Sequence, residues 1–166
     1  MNSPVSIRRL GASDAHAMRA MLALFGDAFD DNDTYVAHMP DDAYLVRLLS
    51  SEGFVAMTAY SEEAIVGGLA GYLLPKFEQA RSEFYIYDLA VDQAHRRRGV
   101  ATAMIRNPRR LLVQQRVHVI FVQADHGDDA ALALYTNLGT RGDVMHFDIL
   151  PSNGGTAPGA EFAELV

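Results

Sequence analysis

The chain contains no cysteine in 166 residues. That excludes a disulfide frame, a thiolate metal site and a cysteine nucleophile. No apolar run is long enough to span a bilayer, and the N-terminus carries no signal-peptide pattern. The cytoplasm is therefore the default expectation. Positive charge is scarce: 14 Lys and Arg stand against 21 Asp and Glu, for a formal charge of −7. This balance argues against nucleic acid as a partner and favours a cationic ligand. His38, His95, His118, His126 and His146 show no metal-ligand spacing, so no metal is expected.

What is present fits one domain with a sizeable core, at 49% hydrophobic residues. Residues 1–150 read as that domain. Residues 151–166, rich in Pro and Gly, read as a flexible tail. Val5–Leu10 reads as a first strand, and Ser13 or Asp14 as the cap of a helix. Met18, Met21, Leu22 and Phe25 give that helix one buried face, which reads as core. Four aspartates follow in Asp27–Asp33, with Phe29 and Tyr35 close by. This stretch reads as an acidic loop or frayed helix, either a solvated connection or a ligand surface. A second helix starts at Pro40-Asp41-Asp42 and ends at Gly53. Phe54–Tyr60 and Ala64–Leu74 form a hairpin through Ser61-Glu62-Glu63.

The central run is Glu83 to Ala101, EFYIYDLAVDQAHRRRGVA. It starts as a strand rich in aromatic and β-branched residues. It then passes through Arg96-Arg97-Arg98 to Gly99, which opens a helix. A strand, a basic glycine turn and a helix N-terminus make an anion site, because free N–H groups and the helix dipole point the same way. Three successive arginines also read as a basic surface turn. Pro108 falls inside the helical pattern, so the segment is either one kinked helix or two short ones, with Asn107 the cap of the second. A strand Val117–Gln123, a loop Ala124–Asp129, a helix Ala130–Leu138 and a last strand Val144–Ile149 complete the reading.

This order of elements resembles the GCN5-related N-acetyltransferase (GNAT) superfamily. Arg96-Arg97-Arg98-Gly99-Val100-Ala101 matches its signature of Gln or Arg, two residues, Gly, one residue, then Gly or Ala. Ala131 to Gly139, with Leu134-Tyr135, resembles its second signature. More narrowly, Leu74–Val91, Val122–Asp125, Gly127–Asp129 and Val144–Ile149 look like the aminoglycoside 3-N-acetyltransferases of the gentamicin-resistance type. Leu24-Phe25-Gly26, Phe29, Asp31 and Tyr35 fit that family's first helix and loop. The chain departs from the pattern at His126, Ala130 and Pro108.

The resemblance implies an α+β three-layer fold, with a mixed, mostly antiparallel sheet flanked by helices. It implies acetyl-CoA as cosubstrate, direct transfer without an acyl-enzyme, and by analogy a homodimer. Leu89, Ala90 and Val91 would pair with the pantetheine arm. Arg96, Arg97, Arg98, Gly99, Val100 and Ala101 would hold the pyrophosphate, with Asp128 and Ala131 also at the cofactor. Asp88 is similar to the family's catalytic carboxylate. It is read as a base acting directly or through water, or else as a structural carboxylate. Tyr135 resembles its general acid, or else is a core tyrosine. The acceptor would meet Phe29, Asp30, Asp31, Tyr35, Tyr87, Asp88, Asp125, Asp129 and Asp148. An aminoglycoside is the expected acceptor. A polyamine, another small amine and a protein amine are the alternatives, and an acyl-CoA-binding module without turnover is a third class.

Overall fold

The computed structural model describes residues 5–147 and 149. The expected tail 151–166 and Asp148 lie outside the described residues. The chain divides into two compact units, one up to Asp128 and one from Asp129 onward. Each is described by itself.

The first unit is built on a five-stranded sheet in the order β1-β2-β3-β4-β5. Its strands are β1 (Val5–Arg9), β2 (Phe54–Ser61), β3 (Ala64–Pro75), β4 (Ser82–Val91) and β5 (Val117–Val122). The first three pairings are antiparallel and β4–β5 is parallel. The mixed sheet and its flanking helices agree with the expected fold class. A parallel pair needs a long crossover, which α3 (Val100–Arg106) and α4 (Arg109–Gln114) supply. On the other face lie α1 (Ala15–Phe29) and α2 (Asp42–Leu49).

The near-continuous apolar character of β2 and β3 follows from burial on both faces. Met21, Phe25 and Leu45 pack on Ala56, Ala70 and Ala90 on the α1 side. Val100 and Met104 pack on Leu69, Phe84 and Ile86 on the α3 side. Gly67 and Gly68 let both layers approach. A Cβ on Gly68 would come within 2.5 Å of Met21 Cγ, and one on Gly67 within 3.1 Å of Met104 Sδ. Arg19 fixes α1 against the start of α2, donating from Nε and Nη2 to Asp42 Oδ1 at 2.9 and 2.7 Å.

Several boundaries differ from the sequence reading. Asp14 stands at the N-cap of α1 without capping it, because its carboxylate turns back to the Gly11 N–H. The acidic stretch is mostly helical: Gly26–Phe29 is the last turn of α1, and Asp33–Ala37 forms a single π-helical turn. The second helix stops at Leu49, short of Gly53. Ser50 caps it and Gly53 leads into β2 instead. Pro108 splits its segment into two helices, because it has no N–H to return to the preceding turn. Asn107 is the αR C-cap of α3, and Pro108 itself stands at the N-cap of α4.

In the second unit, α5 spans Asp129–Thr136 and ends two residues before the expected Leu138. The Leu138 and Gly139 N–H groups both donate to the Tyr135 carbonyl and close its end. The expected last strand is not formed by residues 144–147, and Val144, Met145 and Phe147 are exposed. Alternation and β-branching favour a strand only where a pleated partner exists to pack against.

Candidate active site

The site begins where β4 loses a neighbour. β5 pairs with β4 from Ser82 to Ile86 only, while β3 continues alongside to Val91. From Tyr87 to Val91 one edge of β4 is therefore unpaired among the described residues. A β-bulge marks the same place: Ile86 faces Gly71 and Asp88 faces Ala70, so Tyr87 is the inserted residue. Regular alternation would put Asp88 on the face of Phe84 and Ile86, inside the α3-side core. The bulge shifts the phase. Asp88 instead shares a face with Ala90 on the α1 side, while Leu89 and Val91 turn to the α3-side core.

Asp88 is half-buried there, and Tyr35 donates from its hydroxyl to Asp88 Oδ1 at 3.0 Å. Burial pushes the Asp88 carboxyl above its ordinary range, and the Tyr35 hydrogen bond opposes that push. Burial and then the Asp88 charge hold the Tyr35 phenol well above the usual phenol range. The Tyr35 ring sits edge-on to Phe25 at 5.7 Å and tilted to Phe29 at 5.6 Å. Of the expected acceptor residues, the structure thus gathers Phe29, Tyr35 and Asp88.

Asp30 and Asp31 have structural employment. Asp30 ends α1 in the left-handed conformation, its N–H donating to the Gly26 carbonyl. Asp31 Oδ1 accepts the Thr34 N–H at 3.0 Å and starts the π-helical turn. That bond holds the Asp31 carboxyl below the usual range. Tyr87 is 62% exposed and belongs to a row of rings. Tyr72, Tyr87, Tyr85 and Phe121 follow one another at centroid spacings of 5.9, 5.6 and 4.8 Å. The Tyr85 hydroxyl donates to Gln123 Oε1 at 2.7 Å. Sequence reasoning missed Tyr72, Tyr85 and Phe121 as members of this row. The period-two pair Tyr85 and Tyr87 was the available signal.

The turn after β4 is internally braced. Asp92 caps the short Gln93–His95 turn through the Ala94 N–H and contacts His95 Nδ1 at 2.9 Å. Arg96 donates from Nε to the Val91 carbonyl at 2.9 Å, so it ties the turn to the strand end. Arg97 and Arg98 are exposed. Arg97 and Gly99 are both left-handed, and no side chain caps the N-terminus of α3. A Cβ on Gly99 would meet nothing within 4 Å. The space above the turn is open, and the first N–H groups of α3, beginning at Val100 and Ala101, lack intrahelical acceptors. A left-handed residue followed by helix turns successive N–H groups toward one point, which suits a phosphate. A cleft of about 390 Å³ lies beside it, lined by Ala23, Asp27 and Ala28 of α1 with Ile65, Asp92 and Arg96.

Asp125 and Asp128 lie in the exposed loop after β5, where the Asp128 N–H donates to the Asp125 carbonyl at 3.3 Å. His126 is exposed in the same loop. In the second unit, Asp129 opens α5, and Ala131 and Tyr135 are carried by that helix. Among the described residues, no group of three or more His, Asp or Glu is placed to hold a metal. Among them, too, no helix is long and apolar enough to cross a membrane.

Comparison with known proteins places this geometry. Residues 18–140 match the model of the acetyltransferase (GNAT) family. Searching the curated proteins gave no match. Among solved structures, the chain is 49% identical to the aminoglycoside acetyltransferase HMB0005 from an uncultured soil metagenomic sample. That match covers 90% of this chain and 99% of the other, at a TM-score of 0.87. It is 30% identical to the aminoglycoside acetyltransferase meta-AAC0020, also from a soil metagenomic sample and solved in complex with sisomicin. This match covers 89% and 97% of the two chains, at a TM-score of 0.81. The fold alone is shared with AAC(6')-Iy in complex with a CoA bisubstrate analogue, at 15% identity, covering 89% and 99%, with a TM-score of 0.70. The chain belongs to the GNAT acetyltransferase family, whose members take their acetyl group from acetyl-CoA.

Proposed function

We propose that this GNAT acetyltransferase moves the acetyl group of acetyl-CoA to the 3-amino group of an aminoglycoside of the gentamicin type. The observation that carries the reading is Asp88, a half-buried carboxylate on the unpaired end of β4. Its relatives HMB0005 and meta-AAC0020 support the acceptor class, the second through its complex with sisomicin.

The free edge at Leu89, Ala90 and Val91 takes the pantetheine arm as a further strand. The N–H groups from Arg98 to Ala101 take the pyrophosphate, with Arg97 and Arg98 adding charge. Arg96 serves this site by bracing the turn. Asp128 and Ala131 are assigned to the cofactor from the resemblance.

The acceptor arrives as an ammonium ion and must lose a proton before it can attack. A free Asp, with a pKa of about 3.9, is a weak base at neutral pH. Burial raises Asp88 toward a useful value. Asp88 takes that ammonium proton, directly or through a water, and the free amine nitrogen then bonds to the thioester carbonyl carbon, leaving one excess proton on the nitrogen of the adduct. The C–S bond then breaks, and the CoA thiolate leaves and ends as the thiol with that excess proton. Tyr135 is assigned the hydrogen bond to that thiolate from the resemblance. Full transfer from a phenol to a thiolate is uphill by about 1.5 pKa units, roughly 2 kcal/mol, so it follows the hydrogen bond.

From the resemblance, Asp30, Asp31, Asp125, Asp129 and Asp148 are assigned to attract a polycation. Each exposed pair contributes only about 0–1 kcal/mol, so their role is steering and orientation. A linear polyamine would use the same carboxylates. The ring row at Tyr72, Tyr87 and Tyr85 favours an acceptor built of saturated rings, whose C–H faces can lie against it.

Thiol release from acetyl-CoA tests the reading against gentamicin, its 3-N-acetylated form and spermidine. Turnover is expected with gentamicin alone. Equal turnover on the 3-N-blocked compound removes the 3-position, and turnover on spermidine alone removes the acceptor class.

A further inference from the structure

We infer that Tyr35 is a positioning residue for acetyl transfer: its hydroxyl pins Asp88 by one oxygen and so assigns the other oxygen, Oδ2, to the acceptor amine. This rests on Asp88 being the base, as proposed above. It changes the role of Tyr35 from acceptor contact to support of the reacting carboxylate.

The argument starts from the freedom of an aspartate side chain. Rotation about its last bond is broad and roughly two-fold, so an unheld carboxylate presents either oxygen in many directions. A single donor at 3.0 Å on Oδ1 removes that freedom. Tyr35 is itself held. Its ring packs against Phe25 and Phe29. Its backbone belongs to the π-helical turn Asp33–Ala37, which Asp31 starts by accepting the Thr34 N–H. The base on β4 and the acidic end of α1 are thereby joined through one hydroxyl, between residues 53 positions apart.

Tyrosine is the donor that keeps its proton here. Burial first, and then the Asp88 and Asp31 charges, oppose loss of the Tyr35 proton, so it donates throughout the working pH range. The phenols of Tyr72 and Tyr85 are also pushed upward, by burial first and by the Asp88 charge in addition. Burial and the Tyr35 hydroxyl are what shift Asp88 itself.

The test is the pH dependence of kcat for wild type, Tyr35→Phe and Asp88→Asn, with gentamicin as acceptor. Tyr35→Phe keeps the ring and its packing and removes only the donor. Its plateau kcat should fall about tenfold through loss of orientation. Its acid limb should move to higher pH, because a donor that favoured the charged carboxylate is gone. The KM for acetyl-CoA should stay unchanged. Circular dichroism of the variant across the same pH range separates this shift from acid unfolding, which would also move the limb upward. An unmoved limb, or a loss confined to the acceptor KM, overturns the assignment of Tyr35. If Asp88→Asn abolishes turnover while Tyr35→Phe behaves as wild type, only the Tyr35 inference fails. If Asp88→Asn retains turnover, the reading of Asp88 as base fails and the inference falls with it.

Discussion

The two halves of β4 have the same neighbour on one side and different fates on the other. From Ser82 to Ile86 the strand lies between β3 and β5, and Phe84 and Ile86 are fully buried. From Tyr87 to Val91 it keeps β3 and loses β5. The first half uses its hydrogen-bonding groups within the sheet. The second leaves one edge unpaired among the described residues and carries a carboxylate whose charge burial disfavours. An unpaired edge inside a protein is a liability unless something else pairs with it. The bulge at Tyr87 sits where one regime gives way to the other, and it turns Asp88 from the α3-side core to the α1 side.

The two halves should therefore respond oppositely to substitution. Asp88→Asn should lower kcat by about 10²–10⁴-fold, the range of general base catalysis, with the Kd for acetyl-CoA unchanged. It should not destabilise the fold at neutral pH. The Asp88 carboxyl is raised in the folded state, so the native protein holds that proton more tightly than the unfolded chain does. Ionised Asp88 therefore lowers stability progressively as pH rises above the ordinary carboxylate value, fully so above the folded pKa, and has no such effect below the ordinary value. Thermal melts should place Asp88→Asn level with wild type or slightly above it at neutral pH, with any gap closing as pH falls. A clear drop in Tm at neutral pH would make Asp88 a structural carboxylate and erase the contrast.

Phe84→Ala is the complementary change in the first half. Its ring is 0% exposed, and loss of a buried Phe costs about 3–5 kcal/mol. Chemical denaturation should show this loss. The folded fraction should keep its kcat, because the residue faces away from Asp88. Loss of kcat without loss of stability would mean that the halves are not separable.

Much of this division was legible in the sequence, though not all of its signals are obvious. Apolar residues occupy 84 and 86, then 89 and 91, and that phase break is the bulge written in residue order. The turn Arg96–Ala101 was readable because a strand, glycine and helix start must follow one another in the chain. The contact between Tyr35 and Asp88 was not, since nothing local relates residues 53 apart. The helical form of Gly26–Phe29 was hidden by the glycine and the aspartates, whose local preferences packing overrode. Val144–Ile149 misled in the opposite direction. Its alternation is that of a strand, yet residues 144–147 have no ladder among the described residues.

The smallest expected effect sharpens the account of the turn beyond Val91. Gly99 has φ 79°, a conformation that costs an ordinary L-residue about 1–2 kcal/mol. A Cβ there meets nothing within 4 Å, so Gly99→Ala is a test of backbone conformation without crowding. The loop already holds one ordinary residue in this region, Arg97 at φ 60°, and its brace from Arg96 to the Val91 carbonyl is untouched. The fold should therefore survive with a modest fall in Tm. The strain falls on the N–H groups proposed to hold the pyrophosphate, so the KM for acetyl-CoA should rise several-fold, the equivalent of about 1 kcal/mol. The kcat should hardly change, because Asp88 lies on the strand before the turn. Steady-state kinetics with acetyl-CoA varied at saturating acceptor separates the two quantities. A fall in kcat at unchanged KM would assign the turn to the reacting end of the site and take the pyrophosphate away from it.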